Sequence, residues 1–353
     1  MRDYRVIVIA GDGIGPEVTQ AALAVLEAVQ AKDGFRLVLE PHSAGAGHYR
    51  ETGRAMDEAT LAACRAADGV IKGPVGDPAV RHPDGTEAGT LGGILRPGLD
   101  AYANLRPVRL YPGVVSALRD TEAGAIDYLI VRENTEGLYA SRGKGAVTAD
   151  GVTDYMTMSR KGITRVVRKA FALAATRPRA PTGDARVTCV DKANVLRGFA
   201  LFREIFDAVA AEHPGIAADH LYADAAAAAL VERPGSFDVL VTENFVGDIL
   251  SDLGAATVGG LGMCPSGNIG DATAYFEPIH GSAPGIAGQD RANPVATILS
   301  AAMLLDWLGE GAAAARVRAA VERALAGGTL AVNRDGSAAQ GTRAAARAVI
   351  AAL

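Results

Sequence analysis

Two aspartates have the spacing expected of a site for a divalent metal ion. Asp248 and Asp252 lie four residues apart in the stretch NFVGDILSD, and this spacing places both carboxylates on one face of a helix. Mg2+ and Mn2+ prefer carboxylate oxygens and retain waters that a substrate can replace. The apolar neighbours favour a pair set into the protein surface, although a solvated helix face remains the alternative interpretation.

Three arginines stand in motifs that suit a substrate with several carboxylates. They are found in GGILRPGLD, NLRPVRLYPG and LIVRENTEGLY, as Arg96, Arg106 and Arg132. A guanidinium group binds a carboxylate through two parallel hydrogen bonds, although each arginine alone could equally be a surface ion-pair partner. Lys192 follows a predicted strand and is a candidate general base, and Tyr139 is a candidate acid or a packing residue.

Two glycine-rich segments are candidates for cofactor binding. The opening turn GDGIGPEV follows a strand-like run, but Pro16 occupies the place of the third glycine of the dinucleotide fingerprint. Proline suits the first turn of a helix, so a tight strand-to-helix turn is favoured over a pyrophosphate cradle. The long segment 275–294 exposes backbone amides among glycines and prolines, and it can either wrap an adenosine diphosphate or be a surface loop.

Alternating strand and helix patterns predict an α/β fold that positions these residues. Residues 139–158 differ, because two polar, β-leaning pieces around a Gly-Lys-Gly turn predict a protruding two-stranded arm without a helix, which suggests a partner subunit. Strands are predicted at 5–9, 35–39, 69–71, 126–131, 186–190 and 237–241, and helices at 16–30, 57–67, 159–176, 194–212, 224–231, 295–305 and 312–326.

Composition excludes several functional classes. The chain has 353 residues and a formal net charge of -5, so no global field attracts nucleic acid or an anionic membrane. The three cysteines are far apart and suggest neither a zinc site nor a disulfide framework, which favours a reducing, cytoplasmic compartment. No signal peptide or membrane-spanning run is predicted.

Seven motifs in order over nearly the whole chain resemble those of the β-decarboxylating dehydrogenases: GDGIGPEV, NLRPVR, VRENTEGLY, DKANVL, GDILSD, PSGNIGD and FEPIHGSAPGIAGQDRANP. That family contains isocitrate, homoisocitrate, 3-isopropylmalate, D-malate and tartrate dehydrogenases. The resemblance implies an isopropylmalate dehydrogenase-like, non-Rossmann α/β fold of two domains. Residues 1–100 with 255–353 would bind the cofactor, and residues 101–254 would bind substrate and metal and form a homodimer through the arm.

The resemblance also implies a role for each site residue, with NAD or NADP as cofactor and Mg2+ or Mn2+ as metal. Tyr139 and Lys192 would transfer protons, Lys192 with the help of Asp224, and Lys192 and Asp224 would reach the site across the dimer interface. The substrate would be held by Thr90, Arg96, Arg106 and Arg132, and the metal by Asp224, Asp248 and Asp252. The cofactor would contact Ile14, Asn194, His280, Gly281, Ser282, Ala283, Gly285 and Asn293.

Two departures from the family pattern shape the expected specificity. Isopropylmalate enzymes place leucines before the first arginine, whereas here Gly92 and Gly93 leave space and Thr90 offers a hydroxyl. We therefore expect oxidative decarboxylation of an isocitrate-, homoisocitrate-, D-malate- or tartrate-like (2R)-malate, with 3-isopropylmalate as the alternative. Gly285 stands where NAD-using members carry an acidic residue, so we expect both cofactors to be usable, with NAD favoured.

Two other functional classes compete with this interpretation. A non-catalytic regulatory subunit of the same fold would be expected to have lost some of the catalytic and metal residues, and all of them are present here. A Rossmann-type hydroxyacid dehydrogenase would bind its cofactor at residues 10–16 rather than 280–293.

Overall fold

The predicted α/β architecture is confirmed by a computed structural model that describes residues 2–177 and 181–353. Strands and helices alternate along most of the chain, as the apolar periodicity predicts. The strands in the described residues are β1 (Arg2–Ile9), β2 (Phe35–His42), β3 (Gly69–Lys72), β4 (Ala103–Arg109), β5 (Asp127–Glu133), β6 (Ala146–Thr148), β7 (Gly151–Thr153), β8 (Arg186–Asp191), β9 (Ala217–Tyr222), β10 (Val239–Thr242), β11 (Pro265–Ile269) and β12 (Ala274–Pro278).

One ten-stranded sheet runs through the molecule in the order β2-β1-β3-β12-β11-β4-β5-β10-β8-β9. One end of the sheet consists of four mutually parallel strands, β2, β1, β3 and β12. The other end consists of four more, β5, β10, β8 and β9. Antiparallel pairs of β11 with β12, β11 with β4, and β4 with β5 join these two parts. This order differs from that of a Rossmann fold, in agreement with the proline of the opening turn.

Helices cover the sheet and connect its strands. They are α1 (Gly15–Asp33), α2 (Ala46–Thr52), α3 (Glu58–Ala66), α4 (Gly92–Gly98), α5 (Arg160–Thr176), α6 (Arg197–Ala211), α7 (Ala223–Glu232), α8 (Asn244–Ala256), α9 (Val295–Trp307), α10 (Gly311–Ala326) and α11 (Thr342–Ala351). Helix α9 is almost entirely buried, as its apolar sequence predicts. No helix in the described residues is long and apolar enough to cross a membrane.

The predicted arm is present, but its turn lies elsewhere. Strands β6 and β7 pair only with each other, and all their residues are exposed. The chain reverses at residues 149–150 rather than at the Gly-Lys-Gly segment, so that part of the prediction is wrong. The prediction of no helix is also wrong, because residues Leu138–Ser141 form a 3-10 turn.

Four strands and three helices were not predicted, and several predicted boundaries are wrong by three residues, among them the start of β1 and the ends of β2 and α1. The missed elements are β4, β9, β11, β12, α2, α4 and α11. Helix α6 begins at Arg197 rather than at Asn194, because the loop after β8 continues through residues 192–196. Asn194 is therefore an exposed loop residue.

Candidate active site

The centre of the candidate site is an ion pair between β5 and α8. Arg132, near the end of β5, is fully buried and pairs through Nη1 with Asp248 of α8. Its Nε and Nη2 donate to Oδ1 of Asn244 at 3.0 and 2.7 Å, and Asn244 opens the same helix. A buried guanidinium needs such partners because an unpaired charge in the interior is costly. The side chain of Arg132 thus links strand β5 to helix α8.

Arg106 approaches the same carboxylate from β4. Its Nη1 lies 3.3 Å from Oδ1 of Asp248 and 3.6 Å from Oδ1 of Asp252, and it donates to Oγ of Ser251 at 2.6 Å. Its Nε donates to Oδ1 of Asn104 at 2.6 Å. Arg106 is thereby fixed at both ends of its guanidinium group, facing the two predicted metal aspartates.

A buried polar chain connects Arg106 to the opposite part of the sheet. The amide of Asn104 on β4 donates to Oδ1 of Asn268 on β11 at 2.9 Å, and the amide of Asn268 donates to Glu277 on β12 at 3.0 Å. Glu277 pairs with Lys72 of β3 at 2.6 Å. Because each buried polar group in this chain has a partner, the network orients Arg106 at little cost.

Tyr139 brings a proton donor to the same point. Its hydroxyl donates to Oδ2 of Asp248 at 2.8 Å, and its ring packs edge-on against Phe245 and beneath the guanidinium of Arg132. Burial raises the pKa of Tyr139 to about 12, and the hydrogen bond to Asp248 adds to the shift. The phenol therefore remains protonated at neutral pH and can act as an acid.

The two aspartates of α8 differ in their electrostatic environment. Burial raises the pKa of Asp252, with Arg106 opposing the shift and Asp248 adding to it. Burial also disfavours ionisation of Asp248, but Arg132 and Arg106 outweigh burial and lower its pKa. Burial together with Arg106 and Arg96 lowers the pKa of Arg132 to about 9, which leaves it charged at neutral pH. The surroundings therefore favour the ionised form of Asp248 more than that of Asp252.

Lys192 and Asp224 lie together, but away from this centre. Nζ of Lys192 donates to Oδ1 of Asp224 at 2.6 Å, and the Asp224 side chain is 72% exposed. The hydrogen bond from Lys192 lowers the pKa of Asp224. Within residues 2–177 and 181–353, no three acidic, histidine or cysteine side chains are close enough to hold a metal ion. A single chain thus separates the predicted metal ligands: Asp248 and Asp252 lie together on α8, whereas Asp224 lies apart from them and pairs with Lys192.

The oxygen donors of α8 fit a hard divalent cation. Asp248 and Asp252 are partly exposed, with 35% and 54% of their side-chain surfaces open to solvent. Two carboxylates one helical turn apart provide part of the six-oxygen shell that Mg2+ or Mn2+ takes.

The remaining predicted substrate residues border the start of α4. Arg96 lies on α4, and its buried Nε has no hydrogen-bond partner among the described residues. Thr90, just before the helix, accepts a hydrogen bond at 2.8 Å from Nη1 of Arg142, which stands at the base of the arm. Arg142 was not predicted as a site residue, because a lone arginine in an exposed polar segment carries no signal in the sequence.

The opening turn packs against the proline- and glycine-rich loop. The backbone N–H of Ile14 donates to the carbonyl of Ser282 at 2.8 Å, and Oγ of Ser282 donates to the carbonyl of Gly76 at 2.6 Å. A Cβ on Gly13 would stand 2.0 Å from that same Ser282 carbonyl, which explains why glycine is required there. The structure therefore brings together Ile14 and Ser282, two of the predicted cofactor residues.

Five of the other predicted cofactor residues follow along this loop, with different surroundings, whereas Asn194 lies in the loop after β8. His280 hydrogen-bonds the carbonyl of Gly281 at 3.0 Å through Nδ1, and its buried Nε2 has no partner in the described part of the chain. Asn293 is buried, and its Oδ1 accepts at 3.1 Å from the N–H of Val295, the first residue of α9. The remaining three residues of the loop are exposed: Gly281, Ala283 and Gly285.

Asn244 and Ser251 were also missed by the sequence analysis, although both contact a predicted arginine. Their position offers a signal in retrospect. They lie on α8 four residues before and three residues after Asp248, so they share the helix face of that aspartate.

Comparisons with known proteins agree with this geometry. The family model described as isocitrate/isopropylmalate dehydrogenase matches residues 5–348. The chain is 46% identical to the 3-isopropylmalate dehydrogenase of Salinibacter ruber over 93% of this chain and 88% of that protein. It is 44% identical to the 3-isopropylmalate dehydrogenase of Thermobifida fusca, covering 95% of this chain and 96% of that protein.

Solved structures show the same relationship. The crystal structure of isocitrate dehydrogenase from Methylococcus capsulatus superposes with a TM-score of 0.87 at 37% identity, covering 99% of both chains. The names of the curated relatives favour the alternative prediction, 3-isopropylmalate, over the main prediction of an isocitrate- or D-malate-like substrate. The prediction of an oxidatively decarboxylating dehydrogenase is confirmed, and the chain belongs to the isocitrate/isopropylmalate dehydrogenase family.

Proposed function

We propose that this protein catalyses the metal-dependent, NAD(P)-linked oxidative decarboxylation of a 3-substituted (2R)-malate. The observation that carries the proposal is the convergence of Arg106, Arg132 and Tyr139 on Asp248, next to Asp252. Guanidinium groups from two strands and a phenolic acid beside two metal-binding carboxylates are the groups that this reaction requires.

The substrate has two candidates. Similarity to proteins named 3-isopropylmalate dehydrogenase supports 3-isopropylmalate as one candidate. A malate with a polar substituent, of the isocitrate or homoisocitrate kind, is the second, and the pair Gly92 and Gly93 favours it. Neither glycine has a positive φ, and a Cβ at either would meet its nearest neighbour at an ordinary distance of 3.5 or 3.8 Å. The guanidinium groups of Arg96 and Arg142, rather than an apolar wall, lie next to these two positions.

In the proposed mechanism, the arginines orient the substrate and two other side chains move protons. Arg106 and Arg132 bind substrate carboxylates and hold C2 in place, while Nζ of Lys192 accepts the proton of the 2-hydroxyl. After CO2 leaves, Tyr139 donates its phenolic proton to C3. Asp248 and Asp252 would help to hold a divalent cation, which would supply Lewis-acid stabilisation of the negative charge that develops at the oxygen on C2. Bound NAD(P)+ would supply the hydride acceptor for C2.

The site is proposed to be completed by a second copy of the chain. Lys192 and Asp224 pair with each other on an exposed surface, outside the cluster around Asp248. The arm exposes Val147 and Val152, with 78% and 67% of their surfaces open in a single chain. Exposed apolar residues on a two-stranded ribbon are expected to be covered by a partner, because such a ribbon is marginally stable alone. A homodimer with two shared sites accounts for both features.

The cofactor is proposed to lie along the loop that follows β12. The opening turn, through Gly13 and Ile14, fixes Ser282 in that loop. Residues 1–100 and 255–353, which contribute the turn and the loop, are proposed as the cofactor domain, and residues 101–254 as the substrate and dimerisation domain. Gly285 has no carboxylate to repel a 2′-phosphate, so both NAD and NADP are proposed to bind, with NAD favoured.

A panel of (2R)-malates tests the proposal. The purified protein is assayed for NADH and NADPH formation with Mg2+ or Mn2+ on D-malate, tartrate, 3-isopropylmalate, isocitrate and homoisocitrate. We expect turnover of at least one 3-substituted acid and its loss in Asp252→Asn, with Glu232→Gln on an exposed helix end as the matched control. Failure of every acid with both cofactors and both metals refutes the enzymatic proposal and favours a non-catalytic subunit.

A further inference from the structure

Helix α4 starts with two glycines at positions where the backbone conformation does not require glycine. Gly92 and Gly93 occupy the first turn of the helix, where glycine is a poor helix former compared with alanine. Neither has a positive φ, and no atom would clash with a Cβ at either position. Their small size therefore serves the space beside the helix rather than the fold.

Two guanidinium groups border this space. A Cβ on Gly92 would lie 3.5 Å from Cζ of Arg96, and a Cβ on Gly93 would lie 3.8 Å from Nη1 of Arg142. Arg142 is oriented by Thr90, whose Oγ1 accepts from the same Nη1 at 2.8 Å. Larger side chains at the two glycines would cover these guanidinium groups.

The four arginines around the site differ in whether an acidic side chain pairs with them. Arg106 and Arg132 both pair with Asp248, whereas Arg96 and Arg142 have no ion-pair partner within residues 2–177 and 181–353. An apolar group placed here would remove water from Arg142 without replacing its hydrogen bonds. A carboxylate would instead accept two parallel hydrogen bonds from the guanidinium group.

We propose that Arg142, held by Thr90 opposite Gly93, recognises a carboxylate on the 3-substituent of the substrate. This inference rests on the proposed function, and it selects among the substrates of that reaction. Arg142 is then the residue that determines specificity, and the two glycines make room for the acidic substituent. The arm on which Arg142 stands couples this specificity to the geometry of the proposed interface.

The test compares specificity ratios in the intact protein. For each variant, kcat/KM is measured on isocitrate and homoisocitrate and divided by kcat/KM on unsubstituted D-malate. Arg142→Met keeps the aliphatic stem and removes the charge, whereas Arg142→Lys keeps the charge. Lys144→Met is the matched control, because Lys144 is exposed on the same segment and its side chain forms no contact with Thr90. Thermal unfolding is recorded for each variant.

We expect the wild type to prefer a carboxylate-bearing substrate over both D-malate and 3-isopropylmalate. Arg142→Met should lower the specificity ratio by about 10- to 100-fold, the usual value of a charge-assisted hydrogen bond. Arg142→Lys should recover part of the loss, and Lys144→Met should match the wild type. Gly93→Leu should lower the same ratio and favour 3-isopropylmalate.

Three results would overturn the inference. An unchanged ratio in a folded Arg142→Met variant removes Arg142 from substrate recognition. A wild type that prefers 3-isopropylmalate excludes the acidic substituent while leaving the proposed reaction intact. A wild type inactive on every acid refutes the proposed reaction and this inference with it.

Discussion

Replacing Gly13 by alanine tests how the opening turn supports the proposed cofactor loop. Gly13 has a φ of +57°, and a Cβ would stand 2.0 Å from the carbonyl oxygen of Ser282. Gly34 provides a matched control at the other end of α1, because its φ is +74° and a Cβ there meets nothing within 4 Å. Both substitutions strain the backbone, but only Gly13→Ala forces two segments apart.

The difference between the two variants can be worked out from these contacts. The left-handed backbone conformation costs alanine about 1–2 kcal/mol more than glycine. Alanine also lowers the entropy of the unfolded chain, which offsets about 0.4–1 kcal/mol of this cost. Gly34→Ala should therefore reduce the free energy of unfolding by about 1 kcal/mol. At Gly13 the loop must also move, which breaks the Ile14–Ser282 hydrogen bond, worth about 0.5–1.5 kcal/mol, together with neighbouring contacts. We expect a total loss of about 2–4 kcal/mol.

The assay combines denaturation in urea with titration of NAD+ and NADP+. Gly13→Ala should shift the unfolding midpoint more than Gly34→Ala does and should weaken cofactor binding, whereas Gly34→Ala should leave cofactor binding near the wild-type value. Equal midpoints and equal cofactor affinities in the two variants would refute the contact between the turn and the loop.

Three further predictions follow from the site and the core. Gly285→Asp fits without strain, since a Cβ there meets nothing within 4 Å. The substitution should raise the NAD-to-NADP ratio of kcat/KM by about 5- to 150-fold. An unchanged ratio would show that the adenosine ribose does not lie beside residue 285. Asp224→Asn and Asp252→Asn should each be inactive alone, but co-expression should restore about a quarter of wild-type activity, because half of the dimers contain one intact site. A mixture with no activity would argue that one chain supplies all ligands. The three cysteines, Cys64, Cys189 and Cys264, are buried, and burial raises the pKa of each thiol. A disulfide reagent at pH 8 should therefore label none of them rapidly in the folded protein and all three in denaturant. Rapid labelling of the folded protein would contradict their buried positions.

Much of the fold follows from periodicity, and three of the missed elements, β4, β11 and α4, share a physical reason. Strands such as β1 and β10 are continuous apolar runs, which the sequence reveals directly. Strand β4 contains Asn104, Arg106 and Pro107, and β11 begins with Pro265. Helix α4 contains three glycines and a proline. These elements depart from local propensity because they carry the buried polar chain and the substrate residues, and tertiary contacts decide their conformation.

The convergence of the candidate site residues could be predicted where residue type and position in a motif determine it. Arg106, Arg132, Tyr139 and Asp248 meet as the motifs predict. Asp224 does not join them within one chain, and only the family resemblance, not residue type or spacing, led to the prediction that a partner subunit supplies it. The contact of Arg142 with Thr90 joins residues far apart in sequence, so it emerged only from the structure.

The central claim is that one site couples oxidation to loss of CO2 with the help of a divalent cation. The most direct measurement follows NAD(P)H and CO2 together, on the preferred acid of the panel, before and after the metal is removed by a chelator and restored. We predict one CO2 for each NAD(P)H, loss of both products on chelation, and recovery of both with Mg2+ or Mn2+. Formation of NAD(P)H without CO2, or undiminished turnover by protein shown to be free of metal, would contradict the account.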